Sequence, residues 1–96
     1  MTMRVRIPSA LRKFSGGNEI IEAPVAGDMM LTVADVLAMI AREYPGIRQR
    51  VLDDQGKLRR HVNVFVDGEN VRFAAGLETK VGADAEVAIL PALSGG

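Results

Sequence analysis

The chemistry this sequence could carry is concentrated in its last residues, Leu93-Ser94-Gly95-Gly96. A carboxylate set on two residues without side chains can thread a narrow channel, because glycine lets backbone approach backbone and accepts the φ the channel imposes. A carboxylate is a poor electrophile, so it would need activation by a second protein that closes around it. A glycine pair taken alone reads equally as a frayed chain end. What the rest of the chain builds decides between the two readings.

Elsewhere the inventory excludes more than it offers. Without cysteine there is no disulfide, thiolate nucleophile or sulfur-rich metal site. The one histidine, His61, heads an apolar strand with no second histidine nearby, and reads as structural or solvent-facing rather than as a ligand. No G-x-S-x-G elbow surrounds a serine, and Gly16-Gly17 follows no strand in a phosphate-binding pattern, reading instead as a hairpin turn. The expectation is therefore a protein with no catalytic residues, metal ligands or bound cofactor of its own, and so not an enzyme.

Twelve basic residues balance twelve acidic ones, which argues against a nucleic-acid partner, since phosphate affinity needs an excess of Lys and Arg. Arg48, Arg50, Lys57, Arg59 and Arg60 gather in one stretch, but Asp53 and Asp54 interrupt them and predict a solvated loop. No apolar run approaches the roughly 20 residues of a membrane span, and the N-terminus lacks the apolar region of a signal peptide. A cytoplasmic protein with no membrane partner is expected.

The elements that would position the terminus are legible in the periodicities. Met3, Val5 and Ile7 alternate with Arg4 and Arg6, the pattern of a half-buried strand over residues 3–8. A second strand runs over residues 19–25, with Pro24 suggesting a sheet edge. Val33, Val36, Leu37, Ile40 and Tyr44 follow helical spacing; Thr32 caps that helix, Asp35 is an imperfect capping-box partner, Leu31 can staple against Val36, and Pro45-Gly46 stops it. A third strand over residues 61–66 turns at Asp67-Gly68 into a short partner around Val71 to Phe73, and a last strand covers residues 86–90.

One amphipathic helix across one face of a mixed sheet of four to five strands is a two-layer α+β arrangement, and this order of elements suits a β-grasp, the ubiquitin-like fold. In that fold the last strand lies beside the first in mid-sheet. Residues 1–91 would form the domain, with Val87 and Ile89 buried against the helix, and residues 92–96 would hang free as a flexible tail. If Val62, Val64 and Val66 face the helix, Asn63, Phe65, Ala88 and Leu90 face away, and Phe65 beside Leu90 makes an exposed apolar patch near the tail. Arg72 reads equally as a rim charge for a partner or as a solvated arginine.

The segments "HVNVFVDGENVRF" and "GLETKVGADAEVAILPALSGG" resemble the ubiquitin-like sulfur carriers, a family that includes the small subunit of molybdopterin synthase and the carriers of thiamine and cysteine pathways. The shared features are an Asp-Gly turn, a following Val-Arg, a Gly-Leu-x-Thr and a proline before the terminal glycines. The departure is at residues 82–86, where relatives more often carry an Asp-Gly-Asp turn. The resemblance implies that the Gly96 carboxylate is adenylated with ATP by a separate E1-like activating enzyme and converted to a thiocarboxylate that donates sulfur. It implies that Pro91, Ala92, Leu93, Ser94 and Gly95 thread into the partner. Phe65, Arg72, Ala88 and Leu90 would then form the recognition surface.

The stretch "LDDQGKLRRHVNVFVDGENVRF" looks most like carriers of cysteine biosynthesis, where a cysteine-synthase-like enzyme accepts the tail and a metalloprotease later releases cysteine. The runner-up is the molybdopterin synthase small subunit, whose tail enters the large subunit. Two further readings stay open: a ubiquitin-like modifier joined to lysines through the same terminus, and a plain β-grasp binding module.

Overall fold

The computed structural model describes residues 1–91, so the expected tail, residues 92–96, lies outside the described residues. The alternation at the N-terminus forms β1 (Thr2–Arg6), with Met3 and Val5 fully buried while Thr2, Arg4 and Arg6 are exposed. β1 pairs antiparallel with β2 (Ile20–Pro24) on one side. On the other it pairs in parallel with β7 (Glu86–Pro91), through Arg4↔Glu86, Val5↔Val87 and Arg6↔Ala88. β7 also pairs antiparallel with β4 (Val62–Val66), from Val66↔Val87 to Val62↔Pro91. β5 (Glu69–Asn70) closes the sheet, whose order is β2-β1-β7-β4-β5, with β7 in the middle as the β-grasp requires.

The parallel pair needs a crossover, and α1 (Val33–Glu43) supplies it. Its Val33, Val36, Leu37 and Ile40 are buried, and they join Met3, Val5, Val62, Val64, Val87 and Ile89 in one core. The N-terminus of α1 is fixed by a complete capping box. The Asp35 N–H donates to Thr32 Oγ1 at 3.2 Å, and the Thr32 N–H donates to Asp35 Oδ2 at 2.9 Å. Aspartate thus does the work usually given to glutamate, and the box is not the imperfect one expected from its shorter side chain.

Three expectations are corrected, and a fourth feature lies outside them. Gly16-Gly17 is not a two-residue hairpin turn. The β1–β2 connection contains a 3₁₀ helix (Ser9–Phe14), and the two glycines take φ of +67° and +85° where the chain bends around the buried Ser15, whose hydroxyl lies 2.8 Å from the Asn18 carbonyl. Pro45 ends α1 but also opens α2 (Pro45–Val51), since proline is well suited to the first helical position. Arg48 and Arg50 therefore stand on a helix, and only the following residues loop. There Asp53 accepts the Gln55 and Lys57 N–H groups, each at 2.9 Å.

Third, the short partner of β4 is Glu69–Asn70, not residues 71–73. Asp67 and Gly68 take φ of +49° and +87°, so the type I′ turn uses two residues and pairing starts at once. Val71–Phe73 then coils into a 3₁₀ turn because the Asn70 side chain accepts the Arg72 N–H at 2.9 Å. Fourth, a separate two-stranded ladder joins β3 (Leu31–Thr32) to β6 (Lys80–Val81). Two-residue strands leave too short a period to read.

Replacing Thr32 by alanine is expected to cost about 1 kcal/mol in denaturant unfolding, the usual worth of an N-cap. The Asp35 carboxyl is held below its ordinary value, first by the hydrogen bond from the Thr32 backbone N–H and then by the Thr32 side chain. A depressed native pKa contributes stability above the unfolded carboxylate's titration and loses it as pH falls through the native value. Thr32→Ala removes only the second of these bonds and should flatten the acid limb of the stability curve in part, whereas Asp35→Asn should remove this pH dependence, measured by urea titrations between pH 6 and 2.

Candidate functional site

Helices cover one side of the sheet and leave the other open. On β7 the open side carries Glu86, Ala88 and Leu90; on β4 it carries Asn63 and Phe65; on β1 it carries Arg4 and Arg6. The register sets Phe65 directly opposite Ala88, and Leu90 opposite Asn63, so Phe65 and Leu90 are diagonal neighbours on one face. Phe65, Ala88 and Leu90 line a depression of about 490 Å³ whose rim includes Asp67 and Glu86.

Leu90 is 45% exposed, whereas Phe65 is only half-buried and not the fully solvent-facing ring the alternation suggested. Its position explains the difference, since Ala88 flanks it on one side and Asn70 on the other. The Arg6 guanidinium pairs with the Glu86 carboxylate across β1 and β7, which holds charge at the edge of the apolar depression.

Arg72 is engaged within the chain. Its guanidinium donates to the carbonyls of Arg59 and Val62, the latter at 2.6 Å, and its Nε lies 3.4 Å from Asn63 Oδ1. Asn70 Nδ2 reaches the same Asn63 oxygen at 3.4 Å. Val62 is the ladder partner of Pro91, so this clamp secures the strand that holds the root of the tail. β1 pairs with β7 only as far as Ala88, and β4 alone accompanies the chain to Pro91. Ala92, Leu93, Ser94, Gly95 and Gly96 lie outside the described residues.

The sequence reading missed Phe73, an aromatic ring 85% exposed on the 3₁₀ turn, because residues 71–73 were expected to be a strand that would bury alternate side chains. It also left Arg6 and Glu86 unassigned, although the alternation of β1 already put Arg6 on the open side. Among the described residues no group of three or more His, Cys, Asp and Glu could hold a metal ion, and no helix is long and apolar enough to cross a membrane. These side chains form an open, partly apolar sheet face beside β7, the last described strand.

Residues 5–96 match the ThiS family. The chain belongs to that family. It is 40% identical over 98 residues to "Sulfur carrier protein CysO" of Mycobacterium tuberculosis, an alignment covering 100% of both chains. The crystal structure of the Amycolatopsis orientalis BexX/CysO complex contains a chain that superposes with a TM-score of 0.84 at 37% identity, covering 98% of this chain and 99% of that one. Small archaeal modifier protein 1 of Haloferax volcanii is 36% identical over 80 residues, 83% of this chain and 85% of that protein. Family members thus share the β-grasp whose central strand leads toward the C-terminus.

Replacing Arg72 by alanine removes charge-assisted bonds to two carbonyls and should destabilise the fold by about 1.5–3 kcal/mol in chemical denaturation. Arg72→Lys should recover less than half of that loss, because a single ammonium cannot reproduce the planar fork.

Proposed function

We propose that this protein is a sulfur carrier whose Gly96 carboxylate is the reacting group. An E1-like enzyme joins the carboxylate to AMP from ATP, releasing pyrophosphate. A sulfur nucleophile then displaces AMP to leave a thiocarboxylate, the form that donates sulfur. The ATP and the sulfurtransferase chemistry belong to that partner, so the carrier itself acts as a co-substrate and not as an enzyme. The observation that carries this reading is the full-length similarity to a sulfur carrier protein together with a family match that runs to residue 96.

The geometry supports the division of labour. β7 is anchored in mid-sheet, and Gly96 follows the last ladder pair, Val62↔Pro91, by five residues. Five residues span at most about 17–18 Å, enough to carry a carboxylate from the sheet into a partner's nucleotide site. Phe65, Ala88 and Leu90 would seat against the partner beside that entry, with Arg72 holding β4 in place. Ala92 to Gly95 would thread the channel. The acceptor is a cysteine-synthase-like enzyme of a cysteine-forming pathway, followed by a metalloprotease, in keeping with the similarity to CysO. The protein would meet these partners in the cytoplasm.

A second reading has one observation in its favour, the similarity to a small archaeal modifier protein. On that reading a lysine amine, rather than sulfur, consumes the adenylate.

Leu90→Asp should cost less than about 1 kcal/mol of stability, because the side chain is 45% exposed and lies outside the buried core. It should lower kcat/KM for adenylation by at least about tenfold by placing an unpaired charge in the docked interface. Phe65→Asp should have the same effect on activation but cost additional stability, since that ring is half-buried. Pyrophosphate release with purified activating enzyme measures the first quantity and thermal unfolding the second; normal adenylation of both variants would remove the open face from the mechanism.

Deleting Gly96, or adding one residue after it, should leave the melting temperature unchanged and abolish activation. Either change moves the carboxylate by one residue, about 3.3–3.6 Å, where a misplacement near 1 Å already costs on the order of a hundredfold. Intact-protein mass spectrometry after incubation with activating enzyme, ATP and a sulfur donor should show sulfur replacing one oxygen in the C-terminal peptide. Equal loading of the altered termini would refute the assignment, and conjugates to lysines in place of that mass would support the modifier.

A further inference from the structure

We propose that the outer edge of β2, with the groove between β2 and α1, binds a short extended peptide of alternating aliphatic residues flanked by lysine or arginine. The hydrogen-bond parity of the sheet shows which groups are free. The Ile7 N–H donates to the Glu19 carbonyl and the Val25 N–H to the Met1 carbonyl, both at 2.8 Å, and these bonds bracket the β1–β2 ladder. In an antiparallel pair, directly opposed residues alternate between bonded and non-bonded, so the odd-numbered residues of β2 bond to β1 and the even-numbered ones point outward. Ile20 and Glu22 therefore present N–H and C=O groups at the sheet edge. Among the described residues no turn or loop group bonds to them. Pro24, also outward, has no N–H and ends the usable edge, which limits pairing to a short segment.

Beside this edge lies a cavity of about 170 Å³, where Ile21, Ala23, Met39 and Tyr44 remain only half-buried. Tyr44 is held at one end, its hydroxyl 3.3 Å from Asn18 Nδ2. A strand added to β2 would direct every second side chain into this apolar space and leave the others on the open side, which is what an alternating aliphatic sequence satisfies. The rim carries a carboxylate on its helix side. Glu43 lines the groove and belongs to no ion pair among the described residues, whereas the Glu22 side chain lies on the open face opposite Arg4. A cationic residue at an end of the peptide would answer that charge.

The same features disfavour a second copy as the occupant. β2 reads Ile20-Ile21-Glu22-Ala23-Pro24 and carries no basic residue, so two-fold pairing of β2 with itself would bring Glu22 side chains together and meet two prolines. The groove lies on the helix-bearing side of the sheet, away from the depression beside Leu90, so a peptide there and an activating enzyme on the open face need not compete.

The probe is the acetylated and amidated peptide Lys-Val-Thr-Ile-Thr-Val-Lys, titrated into isotopically labelled protein and followed by amide NMR. Shifts and slowed hydrogen exchange should concentrate at Ile20 and Glu22, with methyl shifts at Met39. N-methylating the peptide amides that face β2 leaves the protein untouched and should weaken binding at least about tenfold, through lost backbone bonds. Glu22→Pro, which removes a free donor at an edge position, and Met39→Lys, which puts a cation into the groove at some cost in stability, should each weaken it by a similar factor, measured at a temperature where the amide spectrum of each variant shows it folded. Protein lacking Gly96 should bind the peptide as the intact chain does, which separates this proposal from sulfur carriage. Absence of shifts on β2 at millimolar peptide, equal binding of the N-methylated peptide, or concentration-dependent dimerisation through β2 would each overturn it.

Discussion

The parallel pairing of β1 with β7 is the constraint from which the rest of this structure follows. Val5 beside Val87 places the two ends of the domain next to each other in mid-sheet. Parallel neighbours cannot be joined by a tight turn, so the chain between them has to cross over one face. That face is the one carrying Met3, Val5, Val64, Val87 and Ile89, which α1 covers with its stripe of Val33, Val36, Leu37 and Ile40, joined by Ile47 and Val51 of α2. The opposite face is left without a helix. The helix-free face beside β7 is a result of topology.

A central last strand also settles how stability and reactivity are divided. Val87 and Ile89 are essentially inaccessible, and the ladder with β4 persists to Pro91, so the core is complete before the final five residues begin. The weak point is the one-sided stretch after Ala88, where β1 no longer accompanies β7. There the chain depends on β4, and β4 is held at its start by the Arg72 guanidinium on the Arg59 and Val62 carbonyls. An arginine that looks like a surface charge in the sequence acts as a brace for the strand that pairs with β7 to Pro91.

What was legible in the sequence was what repeats. The period of two in Met3-Arg4-Val5-Arg6-Ile7 and the helical spacing of Val33, Val36, Leu37 and Ile40 each report a face over several residues, so strand, helix and the sides they bury could be read directly. The open-side assignment of Asn63, Phe65, Ala88 and Leu90 followed from the same alternation. Features built by one or two contacts could not be read this way. The coil at Val71–Phe73 depends on a single Asn70 bond, and the β3–β6 ladder pairs residues almost fifty apart in only two positions. Pro45 was ambiguous for a different reason, because proline ends one helix and begins another with equal ease. The role of Arg72 could not be read at all, since its partners are backbone carbonyls that every residue possesses.

The Phe14 contact shows how such local choices reach the whole. Gly46 lies against the Phe14 ring so closely that a Cβ there would stand 2.9 Å from Cδ1, and the Arg50 guanidinium covers the ring at 4.6 Å from its centre. The 3₁₀ helix of the β1–β2 connection is thereby docked on α2, which follows α1 without a loop. Moving α2 would displace the ring, and with it the connection that sets where β2 begins. The edge formed by Ile20 and Glu22 is thus fixed from the helical layer, just as the tail root is fixed from β4. Both exposed features of the sheet, its free edge and its chain exit, are held by residues that lie outside the sheet's own hydrogen-bond ladder.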